Sequence, residues 1–374
     1  MAVKLRLIFL LVFLFSIVFP EVASAGAPRV TADAAVLIDV ASGQIYFAKN
    51  YTRRAEPASL TKIMTAVVAV ENGRLEDVVT IDSNAASESM GTIIDLRKGE
   101  KITLGELLTA ALVASANDST VAIAGHVGGS HAGFITMMNS KAAALGLFNT
   151  RFVNTNGFHH PNHYTTAYDL AKLARYALGH PKFNELVQTR EATIHWVEPP
   201  DREEKLRNSN RLLFGLYEGI DGVKTGTTSA AGNCLVASAT RDGRRLIAVA
   251  LHSDDRYRDC INMFDYGFKV VKPVTVAEAG AAIAGVTVNG GIKDRVDLVA
   301  ENSLEIRIDP DDLPNLERKI TATDPVAAPL NKGQYLGHCV YMLQGRELGR
   351  VRLLAAEELS RPGWHRQMWD KVFK

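Results

Sequence analysis

Cysteine is scarce in this chain: three residues in 374, at Cys234, Cys260 and Cys339, far apart in sequence. An odd number so dispersed excludes a disulfide framework and reads as buried free thiols, none placed for catalysis. Net charge is nearly absent too, 42 basic residues against 41 acidic leaving +1. With no basic run to concentrate that charge, nothing points to nucleic acid as a partner. No internal repeat or low-complexity segment interrupts the chain. Clustered metal ligands are also missing. His159, His160 and His163 share the stretch "HHPNH" without a carboxylate or cysteine set beside them, which reads as a plain polar loop.

Only one long apolar run is present. "LIFLLVFLFSIVF" follows the basic "MAVKLR" and precedes the small residues of "VASAG". This is the layout of a secretory signal cut after Ala25, and the run is short for a spanning helix. The mature protein is expected outside the cytoplasmic membrane, in the periplasm or cell-wall space. At the other end, Trp364, Met368, Trp369, Val372 and Phe373 share one helical face, the pattern of a short interfacial helix on a membrane surface.

Between these ends the chain is long enough for two domains. "AAVLIDVASGQIYFAKN" predicts two strands turning at Ser42-Gly43. Helices are predicted after Ser59, from Thr103 with Glu106 in a capping box, from Ser130 to Gly146, and from Thr166 with Asp169 in a second such box. "NCLVASATRDGRRLIAVALHS" reads as a hairpin around Asp242-Gly243, and 258–270 returns to helical spacing. Strands at both ends with helices between them imply an α+β fold, an antiparallel sheet carrying helices on its faces. Past "VVKPV" the pattern changes to short alternating runs, a small all-β domain. The division expected is 1–25 signal, 26–272 catalytic, 273–360 β domain and 361–374 tail.

The chemistry is suggested by "EPASLTKIMTA". Ser59 and Lys62 are one helical turn apart, so their side chains meet on one face. Alone, an S-x-x-K match arises by chance on the order of once in a chain this long. Two further motifs follow in order: Ser115-Ala116-Asn117 directly after a helix, and Lys224-Thr225-Gly226 immediately before a strand. Together the three form the set found in penicillin-binding proteins and β-lactamases.

With "GFHHPNHYTTAYDLAKLARYAL", "NSNRLL", "GIDGVKTGTTSAAGNCLVASATRDGRRLIAVAL" and "APLNKGQYLG", the chain resembles the low-molecular-mass penicillin-binding proteins that are D-alanyl-D-alanine carboxypeptidases, serine peptidase family S11. The resemblance implies a β-lactamase/transpeptidase-like fold, a five-stranded antiparallel sheet flanked by helices. It also implies removal of the terminal D-alanine from peptidoglycan stem pentapeptides, with β-lactam antibiotics as covalent inhibitors and no cofactor or metal. Ser59 is then the nucleophile and Lys62 its base, held neutral by burial and by the nearby Lys224. Backbone N–H groups of Ser59 and Thr227 would form the oxyanion hole. Ser115 would relay a proton to the leaving amine. Asn117 would hold the substrate backbone, and Lys224, Thr225, Gly226 and Thr227 would bind at the terminal carboxylate. Arg256 would assist there, although a surface charge is the plainer reading.

Three other readings compete with this one. A class A β-lactamase needs a deacylating glutamate. The E-x-x-x-N match at Glu204 and Asn208 lies 89 residues after Ser115 and 20 before Lys224, the wrong place for that role. A DD-endopeptidase or transpeptidase shares the acylation step and differs only in bond or acceptor. A non-catalytic penicillin-binding wall protein is disfavoured by the intact motifs.

Overall fold

Parity decides which way each central strand faces. In the strand Ala34–Asp39, Ala34, Val36 and Ile38 join one apolar cluster, and Ala35 and Leu37 join another. The strand Arg244–Ser253 divides the same way, with Ile247, Val249 and Leu251 on one side and Leu246, Ala248 and Ala250 on the other. Both faces are apolar, so both must be covered by other elements. The computed structural model, which describes residues 26–363, shows how. A five-stranded antiparallel sheet runs in the order Ile45–Lys49, Ala34–Asp39, Arg244–Ser253, Gly232–Arg241, Ile220–Thr228. Strands from the two ends of the region meet in the middle, as the sequence implied.

The helix Arg256–Asp265 covers one face with Cys260, Met263 and Phe264. The other face carries the helical block, centred on the helix Lys62–Asn72. Its residues Lys62 through Ala69 are all buried, the condition of a helix enclosed on every side. Thr103, Ser130 and Thr166 cap their helices by accepting from the N–H groups of Glu106, Gly133 and Asp169, contacts worth about 1 kcal/mol each. All three thiols are buried and unpaired.

From Lys272 onward the chain is β-rich. A six-stranded sheet is built around Tyr335–Leu343 and Arg346–Ala355, and a two-stranded ribbon pairs Lys272–Ala277 with Leu304–Ile308. It has its own core of Val286, Leu298, Cys339 and Leu353. The Gln44 side chain joins the two parts, donating to the Arg307 carbonyl and accepting from the Arg307 N–H. Among the described residues no helix is long and apolar enough to cross a membrane. The signal sequence and the aromatic face of the tail lie outside the described residues.

Two local expectations differ. The Ser59 helix begins as a 3₁₀ turn, Ala58–Thr61, before becoming α at Lys62. Lys224-Thr225-Gly226 lies within the strand Ile220–Thr228 rather than before one. That strand is a sheet edge, and its glycines and threonines hide the apolar alternation a central strand would show.

Candidate active site

The 3₁₀ turn explains the first contact. With three residues per turn, side chains at i and i+3 lie directly above one another. Ser59 and Lys62 are so placed, with Lys62 Nζ 3.0 Å from Ser59 Oγ. The peptide just before the serine is held in an unusual shape: Ala58 has a φ of 47°, left-handed for a residue with a Cβ, a conformation that persists only when its surroundings enforce it. Two glycines do so. A Cβ on Gly157 would stand 1.8 Å from the Ala58 carbonyl oxygen, and one on Gly226 would stand 3.0 Å from both Pro57 O and Ser59 N. Backbone from three distant segments therefore closes on one peptide.

Lys62 is fully buried and has two other neighbours, Asn117 Oδ1 at 2.7 Å and the Asn156 carbonyl at 3.0 Å. Asn117 is oriented by its Nδ2, which donates to the Met90 carbonyl at 2.7 Å. Both neighbours are acceptors only, so each takes an N–H from the amine. A neutral amine has two N–H groups and one lone pair, and the lone pair is left facing the Ser59 hydroxyl. The electrostatics favour that state: burial, then the charge of Lys224, hold Lys62 well below the usual lysine range. Lys224 is also buried, and desolvation followed by the Arg256 guanidinium brings it down to about 7.

The remaining predicted residues are carried by other elements. Ser115 ends the helical turn Ala110–Ala114 in a left-handed conformation, φ 69°, and Asn117 opens the next helix. The Thr225 and Ser209 hydroxyls are 2.6 Å apart. Arg256 is no free surface charge: its Nη1 donates to Gly226 O at 2.9 Å and to Thr227 Oγ1 at 2.8 Å. Gly226 brings its backbone against Ser59 N, while the Ser115 hydroxyl is not among the Lys62 partners.

Comparison with known proteins identifies the family. A sequence profile for D-alanyl-D-alanine carboxypeptidases matches residues 21–255, and one for the C-terminal domain of penicillin-binding protein 5 matches 272–361. The chain belongs to the D-alanyl-D-alanine carboxypeptidase family. It is 33% identical to D-alanyl-D-alanine carboxypeptidase DacC of Escherichia coli over 92% of this chain and 88% of that one. Identity to DacF of Bacillus subtilis is 34%, over 89% and 87%. The crystal structure of DacD from Francisella tularensis superposes with a TM-score of 0.73 at 28% identity, covering 89% of this chain and 95% of that one.

Within this family's framework the β-lactamase match dissolves. Glu204 is exposed on the strand Glu203–Arg207, and Asn208 is engaged by Thr189 O and the Asn210 N–H.

The "HHPNH" stretch needs correction. His159 is exposed and reaches Glu56, but His163 is buried. Its Nδ1 accepts from the Val153 N–H, so the ring is neutral and Nε2–H donates to Thr61 Oγ1 at 2.8 Å. Thr61 in turn donates to the Ala58 carbonyl. A polar run around one buried member gives no sign in sequence of which residue turns inward. Burial, with a smaller push from His160, lowers His163 from 6.5 to about 4. The unfolded chain thus binds the proton more tightly, and stability falls as pH drops from 6.5 towards 4. In His163→Phe that dependence is expected to flatten, by up to about 1.4 kcal/mol per pH unit across the window. Urea unfolding at several pH values measures it; an unchanged pH slope would show that His163 does not titrate with folding.

Proposed function

We propose that this protein is a serine-type D-Ala-D-Ala carboxypeptidase acting on peptidoglycan stem pentapeptides. The observation that carries the reading is the buried Lys62 amine, 3.0 Å from Ser59 Oγ, with its other two neighbours able only to accept. Ser59 Oγ attacks the carbonyl of the penultimate D-alanine while its proton passes to the Lys62 lone pair. The tetrahedral oxyanion is held by the N–H groups of Ser59 and Thr227. As the C–N bond breaks, the proton returns through Ser115 to the departing D-alanine amine, leaving an ester on Ser59. Water then adds to that ester and releases the shortened peptide and the Ser59 hydroxyl. Asn117 orients the peptide backbone, and Lys224, Thr225, Thr227 and Arg256 receive the terminal carboxylate. β-Lactams acylate the same serine.

The enzyme is exported, its leader removed after Ala25, and the tail from about residue 361 rests on the membrane surface.

The deciding experiment is D-alanine release from diacetyl-L-Lys-D-Ala-D-Ala, beside Ser59→Ala. Release by the wild type alone is expected. No release by a folded wild type that still labels with penicillin would favour an endopeptidase or a non-catalytic wall protein.

Lys224 gives a second test. Free, it loses its charge as pH rises through about 7, so binding a carboxylate must recover a proton. Affinity for peptides ending in a free carboxylate is expected to weaken above that pH, by up to about tenfold per unit. Amidated analogues should show no such trend, and equal trends for both would remove Lys224 from carboxylate binding.

A further inference from the structure

The hairpin "TRDGRR" sets Arg241 and Arg244 directly opposite each other across the sheet. Like charges in that register repel, and such pairs are ordinarily relieved by a nearby carboxylate. The third arginine has that relief: Arg245 pairs with Asp221 at 3.0 Å. Among the described residues, neither Arg241 nor Arg244 has a carboxylate within ion-pair distance. Each instead donates to a carbonyl, Arg241 to Glu218 O and Arg244 to Gly267 O. Both also lie over one ring, with each guanidinium carbon 5.2 Å from the Phe268 centroid. The two cations are therefore within twice that distance of each other.

They line a groove of about 400 Å³ where the β-rich part begins, together with Lys269, Lys272 and Arg307. This size lies within the range of roughly 300–1,000 Å³ typical of small-ligand clefts. Lys269 pairs with Asp265, and Arg307 approaches Glu305 only at 3.9 Å. Lys272 is exposed and has no ion pair among the described residues. Asp242, at the exposed turn, is the carboxylate on the groove wall. Positive charge here is concentrated, partly immobilised on an aromatic ring, and incompletely neutralised by the protein. The groove is also remote from Ser59. Arg241 lies five residues along its strand from Val236, the partner of Lys224, about 17 Å at ~3.4 Å per residue.

We infer that this groove is a second binding site, specific for a phosphoryl group. Guanidinium forks match phosphate oxygens, and a group with more than one negative charge within a few ångströms answers the Arg241–Arg244 repulsion best. Such a group can come from a soluble or polymeric phosphate ester or from a phospholipid headgroup.

The test is ³¹P NMR titration of inorganic phosphate and of glycerol 3-phosphate with the whole protein at fixed ionic strength. Three variants accompany it: Arg241→Gln/Arg244→Gln, Lys272→Glu and, remote in the β-rich part, Lys332→Gln. The double variant is expected to bind about tenfold more weakly, equivalent to ~1.4 kcal/mol. Lys272→Glu should lose about threefold, and Lys332→Gln nothing. Penicillin labelling reports that each variant is folded; should the double variant fail it, Lys272→Glu alone decides, its side chain being exposed. No binding by the wild type, binding unaffected by Lys272→Glu, or an equal loss in Lys332→Gln would overturn the site. Flotation with phosphatidic acid vesicles, whose phosphomonoester headgroup carries more than one charge, read as the excess over phosphatidylcholine where tail attachment alone acts, separates the sources. Flotation lost in the groove variants identifies the headgroup. Flotation unchanged in them, with weakened glycerol 3-phosphate binding, identifies a soluble or polymeric ester.

Discussion

Replacing Lys62 with arginine is expected to slow penicillin acylation of Ser59 by about a thousandfold, the scale of a lost general base. Arginine supplies donors and a fixed positive charge but cannot give up a proton at any working pH. Lys62→Met, similar in length and uncharged, should lose as much because it has no lone pair on nitrogen to take the proton. The pair of variants separates two meanings of the lysine. If it acts as a fixed charge, arginine should retain most of the rate and methionine little. If it acts as a base, both fail together. In the wild type the acylation rate should rise with pH as Lys62 sheds its proton, because the reactive form is the neutral one. Stopped-flow acylation with a chromogenic cephalosporin across pH measures all three; a rapid, pH-independent Lys62→Arg enzyme would sink the base assignment.

The second large effect concerns no chemical group at all. Gly157→Ala is expected to destabilise the fold by more than about 3 kcal/mol and to suppress acylation in whatever folds. Its φ is +96°, and the added carbon would sit 1.8 Å from the Ala58 carbonyl oxygen, far inside van der Waals contact with a backbone atom that cannot step aside. Gly99 provides the control. Its φ is +89° but nothing lies within 4 Å of a Cβ there, so Gly99→Ala should cost only the conformational strain of about 1–2 kcal/mol. Thermal unfolding and acylation rates of the two variants divide steric from torsional terms. Equal losses would mean that the close approach to Ala58 is not what holds the nucleophile's turn.

These two residues also mark where sequence reading succeeds and stops. Ser59, Lys62, Ser115, Asn117 and Lys224 could be picked out because their side chains carry the chemistry and sit at motif spacing. The caps at Thr103, Ser130 and Thr166 were legible because a cap is a local bond three residues long. The partners that shape Lys62 were not, because the Asn156 and Met90 acceptors are backbone carbonyls, which any residue supplies. Gly157 gave no signal either, since its need for a missing Cβ arises from a chain segment about a hundred positions earlier. His163 was hidden among polar neighbours and turned inward only by tertiary packing. The central sheet was readable in outline from apolar parity, whereas the edge strand bearing Lys224 was blurred by its polar content.

The pairing of Ala34–Asp39 with Arg244–Ser253 has a temporal side. A chain emerging from its N-terminus presents its first hairpin some two hundred residues before the strand that will shelter it. Until Ser253 has appeared, the Ala34–Asp39 side of that hairpin is unpaired, and the Ser59 turn lacks the Gly226 backbone against which it closes. The intermediate is thus an open, unproductive form whatever its helix content, and contacts so distant in sequence make closure a late event. Competence to react with penicillin should accordingly arrive all at once, near the completion of the sheet, rather than grow with chain length.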